Sequence, residues 1–287
     1  MGSLFRALSL LPLPVLHRMG DGLYFFVFHV IRWRVPLARK NVAGAFPDKS
    51  SDERETILRH SYRNLCRTLM EAIWGFRASG EALTARVSYE NPEVIEHYKA
   101  QGVSLVLLTA HVCNWEWLLL ASGMHFQFPI DAVYKPLRIT SLDKYVREAR
   151  SRFGGNPIAF KDFLFALMRR AHEPRAYAMV ADQTPLKKMP KYWTTFLNRD
   201  TPFYLGPEKI ARYLDAPVLY VEMTRLRLGF YSVRFHVLAE PPFGEEDDAD
   251  VRIAERYARG LEATIRAHPE DWLWVHNKWK YPRPPGA

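Results

Sequence analysis

The sequence predicts an α/β fold with a single layered core, and three observations carry that prediction. Short apolar, β-branched runs alternate along the chain with longer segments whose apolar residues recur at helical spacing. The 287 residues are 48% hydrophobic, enough to bury one large core. No Gly/Ser-rich linker, low-complexity tract or fixed-period repeat divides them.

Leu4 to Ile31 is rich in Leu, Phe and Val but is broken by Pro12, Pro14, His17, Arg18, Gly20, Asp21 and Gly22. No apolar run reaches the roughly 18 residues that a spanning helix needs, and no small-residue cleavage site marks a signal peptide. Phe25, Phe26, Phe28, Ile31 and Trp33 lead into Arg32, Arg34, Arg39 and Lys40. Apolar side chains for the acyl boundary beside cations for anionic headgroups describe an interfacial anchor. Residues 1–40 are therefore read as an N-terminal membrane-associated helical segment, and 41–287 as the domain it serves. A hydrophobic helix packed on that domain fits the same pattern, and the two readings are compatible.

Ser51 to Phe76 reads as a helical pair, with Ser51 as N-cap and Ile57, Leu58, Leu65, Leu69 and Ile73 at helical spacing. Ser104 to Leu108 reads as an interior strand, and Trp115 to Ala121 as the start of a helix. Ile130 to Tyr134 is a strand; Leu142 to Phe153 and Asp162 to Arg170 are helices; Ala176 to Ala181 is the next buried strand. Pro207 to Leu214 is helical, with Pro suited to the first turn. Pro217 to Glu222 and Tyr231 to Val237 are strands, and Val251 to Ala267 is an amphipathic helix.

The chemistry concentrates in Leu105 to Trp117, LVLLTAHVCNWEW, where His111 follows the strand and Glu116 comes after four intervening residues. On one regular helix, residues five apart point about 140° away from each other, so the two converge only if His111 precedes the helix and Glu116 lies in its early turns. A carboxylate placed there fixes the imidazole tautomer and leaves the other ring nitrogen to take a proton from a hydroxyl. A histidine beside two tryptophans is also what a satisfied core residue looks like. Asp182 and Gln183 close the strand Ala176 to Ala181 as His111 closes its own, and carboxyl ends of strands in α/β sheets converge on one crevice. Asp is equally a favoured turn residue before Thr184 and Pro185. The loop from Pro185 to Trp193 carries Lys187, Lys188 and Lys191, and Trp272, Trp274 and Trp279 read as core or interfacial packing.

HVCNWEW resembles the His-x4-Asp/Glu signature of glycerolipid-type acyltransferases, and in particular the bacterial late lipid A (lauroyl/myristoyl) acyltransferases, whose usual form is H-x-G-N-W-E. Asn41 to Pro47 (NVAGAFP) is similar to that family's NL-x-x-x-FP element, Val133 to Pro136 (VYKP) to its VYRP segment, and Ala181 to Gln183 (ADQ) to its PDQ or ADQ turn. Trp274 to Lys280 (WVHNKWK) resembles its closing WxHRRxK, so that five collinear motifs cover nearly the whole chain. Three positions depart from the pattern. Cys113 stands where Gly is usual, and Gly tolerates conformations that Cys does not. Phe160, with Lys161 beside it, stands where many relatives carry a phosphate-holding Arg. Asn277 replaces the first Arg of the closing motif.

The resemblance implies a mixed central sheet flanked by helices, with the active site at strand ends. It also implies transfer of a fatty acyl chain from an acyl carrier protein thioester to a hydroxyl of a lipid A precursor or related glycolipid. His111 and Glu116 would be the catalytic pair, with Asn114, Lys135, Lys161, Asp182 and Gln183 as substrate contacts and no cofactor or metal. Backbone amides after His111, or Asn114, are the candidate oxyanion donors. The implied place is the cytoplasmic face of the bacterial inner membrane. The Phe160 departure favours a different acceptor within the same chemistry, and Cys113 a catalytically silent membrane-associated scaffold.

The net charge of +9 fits an acidic partner: an anionic membrane, an acyl carrier protein or nucleic acid, which charge alone does not separate. The basic residues are dispersed among acids and form no zinc-finger, RNP-like or basic-zipper pattern, so nucleic acid is not expected. Cys66 and Cys113 lack metal-like spacing and a disulfide framework, which points to a reducing compartment.

Overall fold

Short strands with apolar side chains on both faces suit a sheet covered by helices on both sides, and LVLLT at Leu105–Thr109 is such a strand. The computed structural model describes residues 2–244, 252–284 and 286. The helices are α1 Gly2–Leu8, α2 Leu13–Tyr24, α3 Val35–Ala45, α4 Ser51–Gly75, α5 Gly80–Thr84, α6 Glu93–Ala100, α7 Trp115–Phe126, α8 Thr140–Arg150, α9 Phe163–Arg170, α10 Gly206–Leu214 and α11 Ile253–Ala267. The strands are β1 Val87–Tyr89, β2 Leu105–Thr109, β3 Ile130–Tyr134, β4 Gly155–Ala159, β5 Ala176–Val180, β6 Lys191–Phe196, β7 Arg199–Tyr204, β8 Val218–Arg227 and β9 Phe230–Ala239. A π-helical turn, Phe25–Val30, continues α2, and 3₁₀ turns lie at Phe160–Asp162 and Pro269–Asp271.

Among the described residues, seven strands form one sheet in the order β1-β9-β8-β2-β5-β3-β4, with β6 and β7 making a separate hairpin. Every neighbouring pair in the large sheet is parallel except β8 and β9. The α/β expectation therefore holds, as a mixed and mostly parallel sheet flanked by helices. Because β2, β5, β3 and β4 run the same way in register, residues that follow them leave from one edge.

Several sequence expectations move at their boundaries. Residues 51–75 form one helix and not a pair, and its N-cap is Ser50, one residue earlier than expected. The Ser50 hydroxyl accepts from the Glu53 amide while the Glu53 carboxylate accepts from the Ser50 amide, a reciprocal cap that outcompetes Ser51. The helix expected over Leu142 to Phe153 stops at Arg150, and Gly154 (φ +86°) turns the chain into β4. Of the helix expected from Val251, the part from Ile253 is seen, and residue 251 lies outside the described residues. The basic loop up to Trp193 is cut short because Lys191 already begins β6, whose turn to β7 places Leu197 and Asn198 at positive φ.

The N-terminal elements pack on α4. Leu13, Leu16 and Phe28 are buried, the Phe28 ring meets Tyr62, and Arg63 and Arg67 both clamp Asp21. Their other side is open: Phe25, Phe26, Val30 and Ile31 are each more than half exposed. Among the described residues no helix is long and apolar enough to cross a membrane. α3 runs without a break across residues 40 and 41.

Candidate active site

Register builds the centre of the site. Thr109 of β2 pairs with Val180 of β5, so His111 and Asp182 each stand two residues beyond the same rung. His111 Nδ1 lies 2.7 Å from Asp182 Oδ1, and Trp272 Nε1 donates to Asp182 Oδ2 at 2.9 Å. The pair is shielded, with 18% of the His111 side chain and 4% of the Asp182 side chain exposed. Burial pushes the Asp182 carboxyl up, but His111 and the Trp272 indole outweigh it and hold it down, to about 2. An ionised acceptor at Nδ1 fixes the proton there and leaves Nε2 with its lone pair. Gln183 Nε2 sits 3.3 Å from that nitrogen, where an amide donor suits the same tautomer.

The C-terminal segment closes over this centre. Leu273 donates its amide to His111 O at 3.1 Å, Cys113 donates to Asp271 O at 3.0 Å, and Val112 bridges Trp272. Thr184 Oγ1 donates to Lys278 O at 2.6 Å. The Lys278 ammonium, fully buried, donates to Pro202 O at 3.1 Å and Gln183 O at 3.4 Å and faces the Phe203 ring. Burial drives that amine down to about 7, against the pull of Asp182. Burial likewise lowers His276 to about 4. Asn41 donates to Trp274 O and His276 O, which ties the NVAGAFP element to the WVHNKWK element. A shallow hollow beside His111 is lined by Ser61, Asn64, Leu65 and Trp115.

Glu116 is placed otherwise than expected. Both of its oxygens take the guanidinium of Arg150, at 2.6 and 2.8 Å, while the carboxylate on His111 belongs to Asp182. The reason is geometric: Glu116 lies in the first turn of α7 facing α8, whereas Asp182 arrives from the adjacent strand in register with His111.

Asn114 lies inside the fold. It is wholly buried as the N-cap of α7, its Oδ1 accepting from Trp117 N at 3.0 Å and its amide donating to Glu71 at 2.9 Å. Neither it nor the Cys113 amide, already given to Asp271, is free to meet an oxyanion. Glu71 is fully buried and anchors more than the cap: it also takes His17 Nε2 at 2.9 Å and the Tyr231 hydroxyl. Through Glu71 the N-terminal helix α2 and the loop after His111 share one hydrogen-bond network. Lys135 and Lys161 are exposed, just past β3 and β4 at the edge where His111 leaves β2.

Cys113 adopts φ +52°, the left-handed region in which a Cβ is strained. The motif's usual Gly suits that backbone, and here Cys adopts it. Burial pushes the Cys113 thiol far up, and both cysteines are free. Sequence reasoning places Asp182 in the crevice as a substrate contact and not as the partner of His111; the shared strand register was the available signal. It missed Arg150 and Glu71 and left Lys278 without a role, because their partners are 34, 43 and 95 residues distant.

Comparisons with known proteins agree with the motifs. The family model described as "Bacterial lipid A biosynthesis acyltransferase" matches residues 3–281. The chain is 24% identical over 272 residues to the lipid A biosynthesis palmitoleoyltransferase of Escherichia coli (strain K12), covering 94% of this chain and 86% of that protein. It is 25% identical to the lipid A biosynthesis acyltransferase of Haemophilus influenzae, over 97% of this chain and 88% of the relative. With the lipid A biosynthesis lauroyltransferase of E. coli the identity is 23%, over 96% and 89%.

Proposed function

The chain belongs to the bacterial lipid A biosynthesis acyltransferase family, and we propose that it moves a fatty acyl chain from an acyl carrier protein thioester to a hydroxyl of a lipid A precursor, with His111 as general base. The observation that carries this reading is the His111–Asp182 hydrogen bond, an ionised carboxylate at Nδ1 that favours the tautomer whose Nε2 is the base. His111 Nε2 takes the hydroxyl proton as the acceptor oxygen attacks the thioester carbonyl. The C–S bond then breaks and the imidazolium returns its proton to the departing thiolate. Asp182 stabilises the imidazolium between these steps. On substrate binding the Gln183 amide, 3.3 Å from Nε2 in the free protein, gives up that nitrogen to the acceptor hydroxyl and becomes a side-chain donor within reach of the oxyanion. Glu116 acts through Arg150, fixing α7 against α8. Nothing in this sequence of steps needs an acyl-enzyme, and Cys113, buried with its thiol pushed up, is a poor nucleophile.

The membrane reading rests on the open side of residues 1–40. Phe25, Phe26, Val30, Ile31 and Trp33 are 47–66% exposed beside Arg32 and Arg34, as peripheral association with the cytoplasmic face of the inner membrane requires. Deleting residues 1–40 would also strip His17 from buried Glu71, so surface substitutions such as Phe25→Ser/Phe26→Ser are the cleaner probe.

The test supplies acyl carrier protein thioester and a lipid A precursor in mixed micelles and follows product by mass spectrometry. Folded His111→Ala should lose transfer by about 10²- to 10⁴-fold. Wild-type turnover in that variant would overturn the mechanism, and transfer to some other lipid in preference would reassign the acceptor.

A further inference from the structure

A second amphiphilic surface lies at the sheet edge from which His111 emerges. β3 and β4 run parallel with Tyr134 opposite Ala159, and β3 runs parallel to β5, so residues 135–139 and 160–165 leave the sheet at the same end as His111 and Asp182. Both segments are apolar and bare: Leu137 is 43% exposed, Ile139 40%, Phe160 52%, Leu164 65% and Phe165 73%. On α9, Phe163 and Leu167 are buried against the sheet while Leu164, Phe165 and Met168 face outward. This short helix is therefore apolar on both sides, which burial in its own fold does not explain. Lys135, Arg138 and Lys161 are interleaved with these residues; Asp162 is the exposed acid among them.

The segment after β3 is tied to α8. Leu137 donates its amide to Asp143 Oδ1 at 2.8 Å, the Tyr134 hydroxyl donates to the same carboxylate, and Arg150 stacks over the Tyr134 ring while gripping Glu116. Beside His111, α4 contributes Ser61, Asn64 and Leu65 to the hollow, and the Tyr62 hydroxyl of the same helix holds Trp33 O at 2.7 Å. The exposed N-terminal face is thus joined to the helix that lines the hollow beside His111.

We infer that the rim formed by residues 135–139 and 160–168 docks directly on an anionic bilayer, its apolar side chains in the acyl boundary and its lysines and arginine on headgroup phosphates. This rests on the membrane reading above and extends it from one contact to two. The occupant follows from charge and apolarity together: an acidic protein surface would answer the cations but leave Leu164 and Phe165 in water, whereas a lipid interface answers both. The consequence is functional. A lipid acceptor reaches His111 laterally from the bilayer, without crossing water.

The experiment uses the full chain with one introduced cysteine, at Leu164, Ile139, Phe26 or Ala100, labelled with an environment-sensitive fluorophore. Cys66 and Cys113 are buried and stay unlabelled. Vesicles of phosphatidylglycerol and phosphatidylethanolamine, free of acceptor, are the probe. Labels at 164, 139 and 26 should shift to the blue and become protected from iodide, and the label at 100, which precedes the amino end of β2, should not. Leu164→Asp/Phe165→Asp should weaken vesicle binding by about tenfold or more while the melting temperature holds. A shift at 26 with none at 164 and 139 overturns the rim and leaves the N-terminal contact standing. No shift at any position overturns both. A blue shift that appears without vesicles and grows with protein concentration assigns the rim to a second copy of the chain, and overturns the proposal.

Discussion

His111 Nδ1 and Asp182 Oδ1 lie 2.7 Å apart although 71 residues separate them in the chain. Two adjacent parallel strands bring them together, each side chain two residues past a shared rung. Asp182→Asn keeps the shape but removes the charge that fixes the tautomer and steadies the imidazolium. Its kcat should fall by about 10²- to 10⁴-fold with little change in KM. Steady-state kinetics on the purified variant checks this; a loss confined to KM would show that Asp182 binds substrate instead.

Glu116 and Arg150 form a bidentate pair, their side chains only 12% and 18% exposed. Removing either leaves the other's charge shielded from water without its partner. Glu116→Ala and Arg150→Ala should each cost about 3 kcal/mol of stability, and the double variant should fall short of the sum by about 1–3 kcal/mol. Urea denaturation of the three variants measures the coupling, and simple additivity would mean that the two do not act as a unit.

Lys278 makes stability depend on pH in a direction that can be worked out. Its folded pKa is about 7 against an ordinary 10.5, so between those values the unfolded chain binds the extra proton. Unfolding free energy therefore rises with pH through this window, by up to about 1.4 kcal/mol per pH unit from this group. Below pH 7 both states are protonated and the penalty of the buried charge is complete. Relative to Lys278→Met, the wild type should gain stability between pH 7 and pH 9. Denaturant titrations of both proteins at the two pH values check it, and a difference that stays flat would show that the amine titrates normally.

Cys113 offers a backbone test. Relief of the left-handed strain in Cys113→Gly is worth about 1–2 kcal/mol, offset by loss of a small buried side chain, so stability should change little and activity should persist. Cys113→Val, β-branched at the same positive φ, should lose about 2 kcal/mol or more. Thermal melts and turnover of the two variants decide it. An inactive Cys113→Gly with an acyl-thioester adduct on parental Cys113 would replace the proposed mechanism with a covalent one.

The sequence by itself determined the α/β class, because buried strands such as Ile130–Tyr134 and amphipathic helices such as α11 print their periods locally. It also determined the family, through five short motifs in order, and it placed His111 at a strand end. What it did not contain was which carboxylate meets His111. The pairing with Asp182 and the diversion of Glu116 to Arg150 depend on strand register and helix packing, which bring together residues 71 and 34 positions apart. The short strands β1 and β4 and the β6–β7 hairpin stayed hidden for a related reason. Their burial comes from neighbours distant in the chain, as when Asn198 Nδ2 donates to Ala45 O across 153 residues. Lys278 shows the same limit most clearly: a lysine reads as surface in any local window, and only a tertiary cage of two carbonyls and a phenyl ring buries it.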